Sequence, residues 1–315
     1  MADGAPHVVI AGAGAMGCLF GGLLAEGGLA VTLLARRADH VQAIEQRGLL
    51  IVGEGGDRAV KVRATMDVAS IAAPDIVLFQ CKANGTASIA AAVKPLFSGP
   101  VATRPVAISF QNGLGNEETI AAVLGEGAVL GGLTAQGATL EAPGVVRNYA
   151  TLPSIIGEMS GGLSERSVEL ARLFSAHGLP VQASENIVRD KWRKLFLNVA
   201  LSATSALTNL TIGEVLAIPD LASTARRAME EAAAVAIASG IDIAAEDRFG
   251  VFDTIVSSGA ARNKTSMCRD VLARRPSEVD AIYGSVIRRG KQFNIATPTL
   301  ETLAAGIRGI ESHYV

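Results

Sequence analysis

Trp192-Arg193-Lys194-Leu195-Phe196-Leu197-Asn198 sets a lysine and an asparagine four residues apart in an otherwise apolar run. At helical spacing the two side chains share one face. An ammonium and a carboxamide stand there where a packing helix would bury leucine or valine, so they need partners or a ligand that supplies them. A preorganised ammonium stabilises negative charge developing on an oxygen and then gives up a proton. Ser202 lies one further turn along the same face. A second reading also fits: Lys194 snorkels to solvent and Asn198 hydrogen-bonds within a helix bundle.

The chain opens with a signature that gives such an ammonium something to do. His7–Ala11 reads as a short buried strand, followed at once by Gly12-Ala13-Gly14-Ala15-Met16-Gly17 and an apolar helix to about Ala25. In that setting Gly12 allows the tight turn, Gly14 lets the backbone approach a pyrophosphate, and Gly17 lets helix and strand pack closely. The helix N-terminus adds N–H donors and the positive end of its dipole. Residues 12–17 are therefore candidate contacts of a nicotinamide dinucleotide, and a lysine-bearing helix then points to carbonyl reduction. The second strand ends in Ala35-Arg36-Arg37, without the acid that would accept from a ribose 2′-hydroxyl. An arginine there favours a 2′-phosphate, so NADP(H) is expected over NAD(H), with Arg36 as a contact.

Two further strand ends carry polar residues: Gln80-Cys81-Lys82-Ala83, and Gln111-Asn112-Gly113 after Val106–Phe110. In open parallel sheets ligands bind outside the carboxyl ends of strands. Lys82 there would hold a substrate or cofactor oxygen, and Asn112 would orient a nicotinamide or a carbonyl. A surface lysine and an Asn-Gly turn fit the same text. Near the other end, Asn263-Lys264-Thr265-Ser266-Met267 precedes Arg269-Asp270, and Pro276-Ser277-Glu278-Val279-Asp280 follows. Ser277 reads as an N-cap, with Asp280 completing a capping box and Glu278 serving the helix dipole. Sequence alone leaves that cluster undecided between structure and chemistry.

The whole chain narrows the classes. Its 315 residues, 49% hydrophobic and 18% charged, support a full core and two domains. A net charge of −2 argues against nucleic acid as a main partner. Cys18, Cys81 and Cys268 have no paired spacing, which fits neither a disulfide framework nor zinc and suits a reducing cytoplasm. His7, His40, His177 and His313 are scattered, so no metal is expected. No Gly-x-Ser-x-Gly elbow or Walker lysine supports a hydrolase or a nucleotide triphosphatase. No secretory signal and no apolar run near the ~20 residues of a membrane span are seen. A soluble, cytoplasmic protein without a membrane partner is expected.

The elements that must position these residues alternate. Strands at His7–Ala11, Val31–Ala35, Ile76–Gln80 and Pro105–Ser109 alternate with helical stretches, including Ala38–Gln46, and imply a parallel sheet covered on both faces. Glycine-rich, β-prone text from Gly125 to Gly144 completes this half. From Asn186 onward the text is helical almost throughout, with runs at 186–207, 222–239, 246–257 and 277–293. The expected class is α/β: a Rossmann-type domain over residues 1–184, then an all-α domain over 185–315.

The glycine pattern, QCKA at 80–83, QNG at 111–113, WRKLFLN at 192–198, TSM at 265–267 and PSEVD at 276–280 recur in this order in one family. The chain resembles the ketopantoate reductases (2-dehydropantoate 2-reductases) over nearly its whole length. The resemblance implies a Rossmann domain and a helical domain with the active site in the cleft between them. It also implies NADPH-dependent reduction of 2-dehydropantoate to (R)-pantoate, in pantothenate biosynthesis. Lys194 then looks like the general acid and Glu278 like the acid that orients it. Asn198 and Ser266 would hold the substrate's hydroxyl and carboxylate, with Lys82 and Asn112 lining the cofactor side. Burial would lower the Lys194 pKa and Glu278 would raise it.

Two places depart from the family pattern. Ser202 stands where a second substrate-binding asparagine is common, and Cys268-Arg269-Asp270 replaces the usual leucine-glutamine-aspartate. The shorter serine loses an amide donor pair, so a contact is lost or passes through water. These departures bear on the substrate more than on the reaction. The alternatives are a reductase of a different, bulkier 2-oxoacid, a β-hydroxyacid dehydrogenase, and a non-catalytic NADP(H) sensor. A small 2-oxoacid partner and a monomer or homodimer complete the expectation.

Overall fold

A computed structural model describes residues 5–100, 103–244 and 259–314. The chain forms two compact units, Met1–Gln111 with Asn116–Ile187, and Asn112–Gly115 with Val188–Val315. The helical run expected at 246–257 lies outside the described residues.

In the first unit the strands are β1 (His7–Ala11), β2 (Ala30–Leu34), β3 (Leu49–Gly53), β4 (Arg58–Val60), β5 (Arg63–Thr65), β6 (Ile76–Phe79), β7 (Val106–Ser109), β8 (Val129–Thr134), β9 (Gly137–Ala142), β10 (Val145–Ala150), β11 (Ser154–Glu158) and β12 (Val181–Ala183). The main sheet runs β12-β11-β8-β7-β6-β1-β2-β5. Its pairings are parallel except between β11 and β8. A second sheet, β4-β3-β10-β9, was not expected from the sequence. Its short strands fall in glycine-rich text that carries little alternation.

Helices α1 (Ala15–Glu26), α2 (Ala38–Arg47), α3 (Thr86–Val93), α4 (Asn116–Leu124) and α5 (Glu165–Ala176) accompany these strands. Along β1, Val8 and Ile10 enter one apolar core while Val9 and Ala11 enter another. This is why the strand reads as continuously apolar: both of its faces are covered. The strand expected at Ile76–Gln80 ends at Phe79, although the Gln80 N–H still donates to the Ala11 carbonyl at 3.0 Å.

The second unit holds most of α6 (Ile187–Thr208), with α7 (Ile212–Ala217), α8 (Pro219–Ala238), α9 (Ser266–Leu272), α10 (Ser285–Gln292) and α11 (Pro298–Glu311). Trp192, Leu195, Phe196, Val199, Ala200 and Ala203 of α6 are buried in its core. Their spacing of three and four makes one apolar stripe. Each fully buried large side chain there contributes roughly 1.5–3 kcal/mol. Before α10 a five-residue π-helical turn, Asp280–Gly284, replaces the regular helix expected from residue 277. Among the described residues no helix is long and apolar enough to cross a membrane.

Candidate active site

On the first unit, the turn from β1 into α1 is built by close backbone approach. Gly12 has φ +111°, and a Cβ there would lie 2.5 Å from the Cys81 nitrogen. A Cβ on Gly17 would lie 2.2 Å from the Gly12 carbonyl oxygen. Gly14 differs: a Cβ would meet nothing within 4 Å, so the backbone there borders open space. Gly14 is also the N-cap of α1, with no side-chain cap and no acid in the first turn. Ala15, Met16 and Gly17 form that first turn, whose N–H groups have no partner within a helix. Open space beside such N–H groups suits an anionic diphosphate.

Behind the turn the packing is polar but closed. The Gly144 N–H donates to His40 Nδ1 at 3.0 Å, and His40 Nε2 lies 3.3 Å from Cys18 Sγ. The Cys18 thiol in turn faces the Ala13 carbonyl at 3.5 Å. Burial pushes that thiol up to about 12 and lowers the His40 pKa, so both remain neutral supports of the loop.

The two arginines after β2 differ. Arg37 donates to both carboxylate oxygens of Asp39. Arg36 is exposed and, among the described residues, makes no ion pair or side-chain hydrogen bond. Lys82 is exposed just past β6 and starts the turn Ala83–Gly85. Gln111 ties this edge together, donating through Nε2 to the Cys81 carbonyl at 2.9 Å and to Thr86 Oγ1 at 2.7 Å. Thr86 passes the bond on to Asn116 Oδ1 at 3.0 Å.

The second unit gathers Lys194, Asn112 and Glu278. Lys194 Nζ donates to Asn112 Oδ1 at 2.9 Å, and Asn112 Nδ2 donates to Glu278 Oε2 at 3.1 Å. The carboxamide thus reads an ammonium with one end and a carboxylate with the other, as its chemistry allows. Asn112 is held there by its neighbours: Gly113 takes φ +82°, a Cβ on it would lie 2.2 Å from the Ala281 carbonyl oxygen, and the Leu114 N–H donates to that oxygen at 3.2 Å. Burial, with the Lys191 ammonium nearby, lowers the Lys194 pKa from 10.5 to about 8 against the opposing pull of Glu278. Desolvation therefore outweighs the carboxylate.

Asn198 is half-buried and Ser202 buried on the Lys194 side of α6. Beside them the Tyr283 hydroxyl accepts from the Ala203 N–H at 2.9 Å and donates to the Val199 carbonyl at 2.8 Å. The Ser202 carbonyl accepts from Thr265 Oγ1 at 3.3 Å, and Thr265 caps α9 through the Cys268 N–H. That bond brings the exposed Ser266, first residue of α9, to the same end of the face. No hydrogen bond joins Ser266 to Lys194 among the described residues. Ser277 Oγ accepts from the Val279 N–H at 3.2 Å, as an N-cap does. Asp280 does not complete a capping box, because it pairs with Arg308. Sequence reasoning missed Gln111, Tyr283 and Thr265. Gln111 and Thr265 had a signal, since each adjoins a residue singled out, whereas nothing in the text marks Tyr283.

The family model described as ketopantoate reductase PanE/ApbA matches residues 8–161, and its C-terminal counterpart matches residues 186–311. A 2-dehydropantoate 2-reductase of Halobacterium salinarum is 31% identical over 305 residues, covering 96% of this chain and 98% of that one. Among solved structures, a PanE/ApbA family ketopantoate reductase from Ralstonia eutropha JMP134 is 33% identical with a TM-score of 0.88, over 97% of this chain and 98% of that chain. D-mandelate dehydrogenase, in a ternary structure with NADH and anilino(oxo)acetate, has the same fold at 24% identity, with a TM-score of 0.90 over 97% of this chain and 98% of that chain.

Proposed function

Since the chain belongs to the ketopantoate reductase family, we propose that it reduces 2-dehydropantoate to (R)-pantoate with NADPH, Lys194 acting as the general acid. The observation that carries this reading is the hydrogen-bonded chain Lys194–Asn112–Glu278, with the lysine held near pKa 8. NADPH, when bound, supplies the hydride that forms the new C–H bond at the ketone carbon.

The residues of this chain do the rest. As negative charge grows on the ketone oxygen, the Lys194 ammonium stabilises it and donates the proton that makes the hydroxyl. The neutral amine left behind recovers a proton from solvent. Asn112 aims the ammonium, and Glu278 fixes Asn112 while favouring the charged lysine. A pKa of about 8 keeps the acid mostly protonated at neutral pH yet close enough to that pH to release its proton. Asn198, Ser202 and Ser266 bind the substrate's hydroxyl and carboxylate, with Glu278 beside them.

Arg36 is assigned to the cofactor's 2′-phosphate, and residues 12–17 to its pyrophosphate. Lys82 is assigned to a cofactor oxygen on the same carboxyl edge. The fold alone does not decide the cofactor, because D-mandelate dehydrogenase shares it and is described with NADH. The choice of NADPH rests instead on the Arg36 guanidinium, without a partner among the described residues, where NAD enzymes place an acid.

A steady-state assay of NADPH oxidation with 2-dehydropantoate, beside NADH and several bulkier 2-oxoacids, tests this reading. Efficient turnover with 2-dehydropantoate and NADPH is the expected result. Activity confined to another 2-oxoacid would reassign the substrate to a pocket shaped by Ser202. Dinucleotide binding without turnover of any 2-oxoacid would make the protein a sensor and overturn the proposal.

A further inference from the structure

Gln136 lies two residues past the end of β8 and is 7% exposed, yet among the described residues neither Nε2 nor Oε1 of its carboxamide has a hydrogen-bond partner. Its backbone is fixed: the Gln136 N–H donates to Thr134 Oγ1 at 3.1 Å, which also accepts from Ser154 Oγ at 2.9 Å. A buried amide with both ends unpaired is costly, and in native proteins such groups meet protein, water or a ligand. Among the described residues of this unit one other carboxamide has a buried unpartnered atom, Gln80 Nε2, and it follows β6. Both residues therefore stand just past the carboxyl ends of main-sheet strands.

The strand order gives these positions meaning. It reverses at β1, with β2 and β5 on one side and β6, β7 and β8 on the other. A dinucleotide lies across such a switch point, one mononucleotide on each half. The pyrophosphate turn follows β1, and Arg36 marks the β2 side as the adenosine half. The nicotinamide half then belongs to β6, β7 and β8, where Gln80 and Gln136 stand. A nicotinamide ring carries a primary carboxamide, with an acceptor and donors complementary to those of glutamine.

We propose that Gln136 recognises the nicotinamide carboxamide, Oε1 accepting from its N–H and Nε2 donating to its carbonyl oxygen. This fixes the rotation of the ring and so which face it offers for hydride transfer. The inference rests on the dinucleotide reading above, and its test separates the two.

Equilibrium binding is measured by calorimetry for NADPH, for its 3-acetylpyridine analogue, which lacks the amide N–H, and for 2′-phospho-ADP-ribose, which lacks the ring. Wild type is expected to bind NADPH about tenfold more tightly than the acetylpyridine analogue, as for one hydrogen bond to a buried group. Gln136→Leu should weaken NADPH about tenfold, remove the discrimination between the two dinucleotides, and leave 2′-phospho-ADP-ribose unchanged. The wild-type comparison needs no variant, so a poorly folding Gln136→Leu does not spoil the test. Equal affinity of wild type for both dinucleotides, or a loss in Gln136→Leu shared by all three ligands, would overturn the role of Gln136. Failure of wild type to bind any of the three would instead overturn the cofactor reading on which it stands.

Discussion

The Tyr283 hydroxyl stands against the main chain of α6, accepting from the Ala203 N–H and donating to the Val199 carbonyl, the pair that closes one helical ring. A side chain inserted in the i→i−4 ladder is a recognised cause of helix bending. Here it contacts the main chain one residue past Asn198 and one past Ser202, the two residues expected beyond Lys194 on the substrate face. Tyr283→Phe leaves two buried backbone groups to find new partners, at a cost of about 1–3 kcal/mol in a chemical-denaturation measurement. Because the Asn198–Ser202 spacing should relax while Lys194 stays in place, KM for the 2-oxoacid should rise more than kcat falls. An unchanged KM would place the role of Tyr283 in stability alone.

Gly14 and Gly12 should separate binding from folding. A methyl on Gly14 points into open space, and its φ of −82° suits any residue. Gly14→Ala should therefore fold with the wild-type melting temperature while losing at least tenfold in NADPH affinity, measured by fluorescence titration. Gly12→Ala meets the Cys81 backbone at 2.5 Å and a φ of +111°, so it should lower the melting temperature as well.

The arginines after β2 make a paired test of cofactor choice. Arg36→Ala should raise the KM for NADPH by roughly 10–100-fold, as loss of a charge-assisted contact would, and leave NADH nearly unaffected. Arg37→Ala should change neither by much, since that guanidinium is already committed to Asp39. Equal effects from the two would remove the assignment of Arg36.

Lys194 links activity to stability through its pKa of about 8, against 10.5 for the free side chain. The folded state releases this proton before the unfolded chain does. Unfolding free energy should therefore rise with pH between about 8 and 10.5, and the charged lysine costs stability at every lower pH. Lys194→Met should melt above wild type at pH 7, with the gap narrowing towards pH 10.5. In the reductive direction kcat/KM should decline above pH 8 as the acid loses its proton.

Much of this arrangement is legible in the residues. The β1–α1 turn shows because close backbone contacts demand glycine at positions 12 and 17, with Gly14 bordering open space between them, and β6 and β7 show because strands covered on both faces are largely apolar. Lys194 and Asn198 stand out because polar groups interrupt an otherwise buried helical face. The short second sheet, the antiparallel β8–β11 pair and the Tyr283 insertion depend on contacts between residues distant in sequence, which local periodicity does not encode. The direction of the Lys194 shift also needed the structure. Sequence supplies the opposing signs of burial and Glu278, and only the packing decides which is larger.

Everything proposed for catalysis turns on the Lys194 ammonium protonating the developing alkoxide. The most direct measurement is kcat for NADPH oxidation with 2-dehydropantoate by Lys194→Ala, beside wild type, with folding checked by circular dichroism. A loss on the order of 10²–10⁴-fold is expected in a folded variant that still binds NADPH. Turnover within a few-fold of wild type would contradict it and return Lys194 to a structural place on α6.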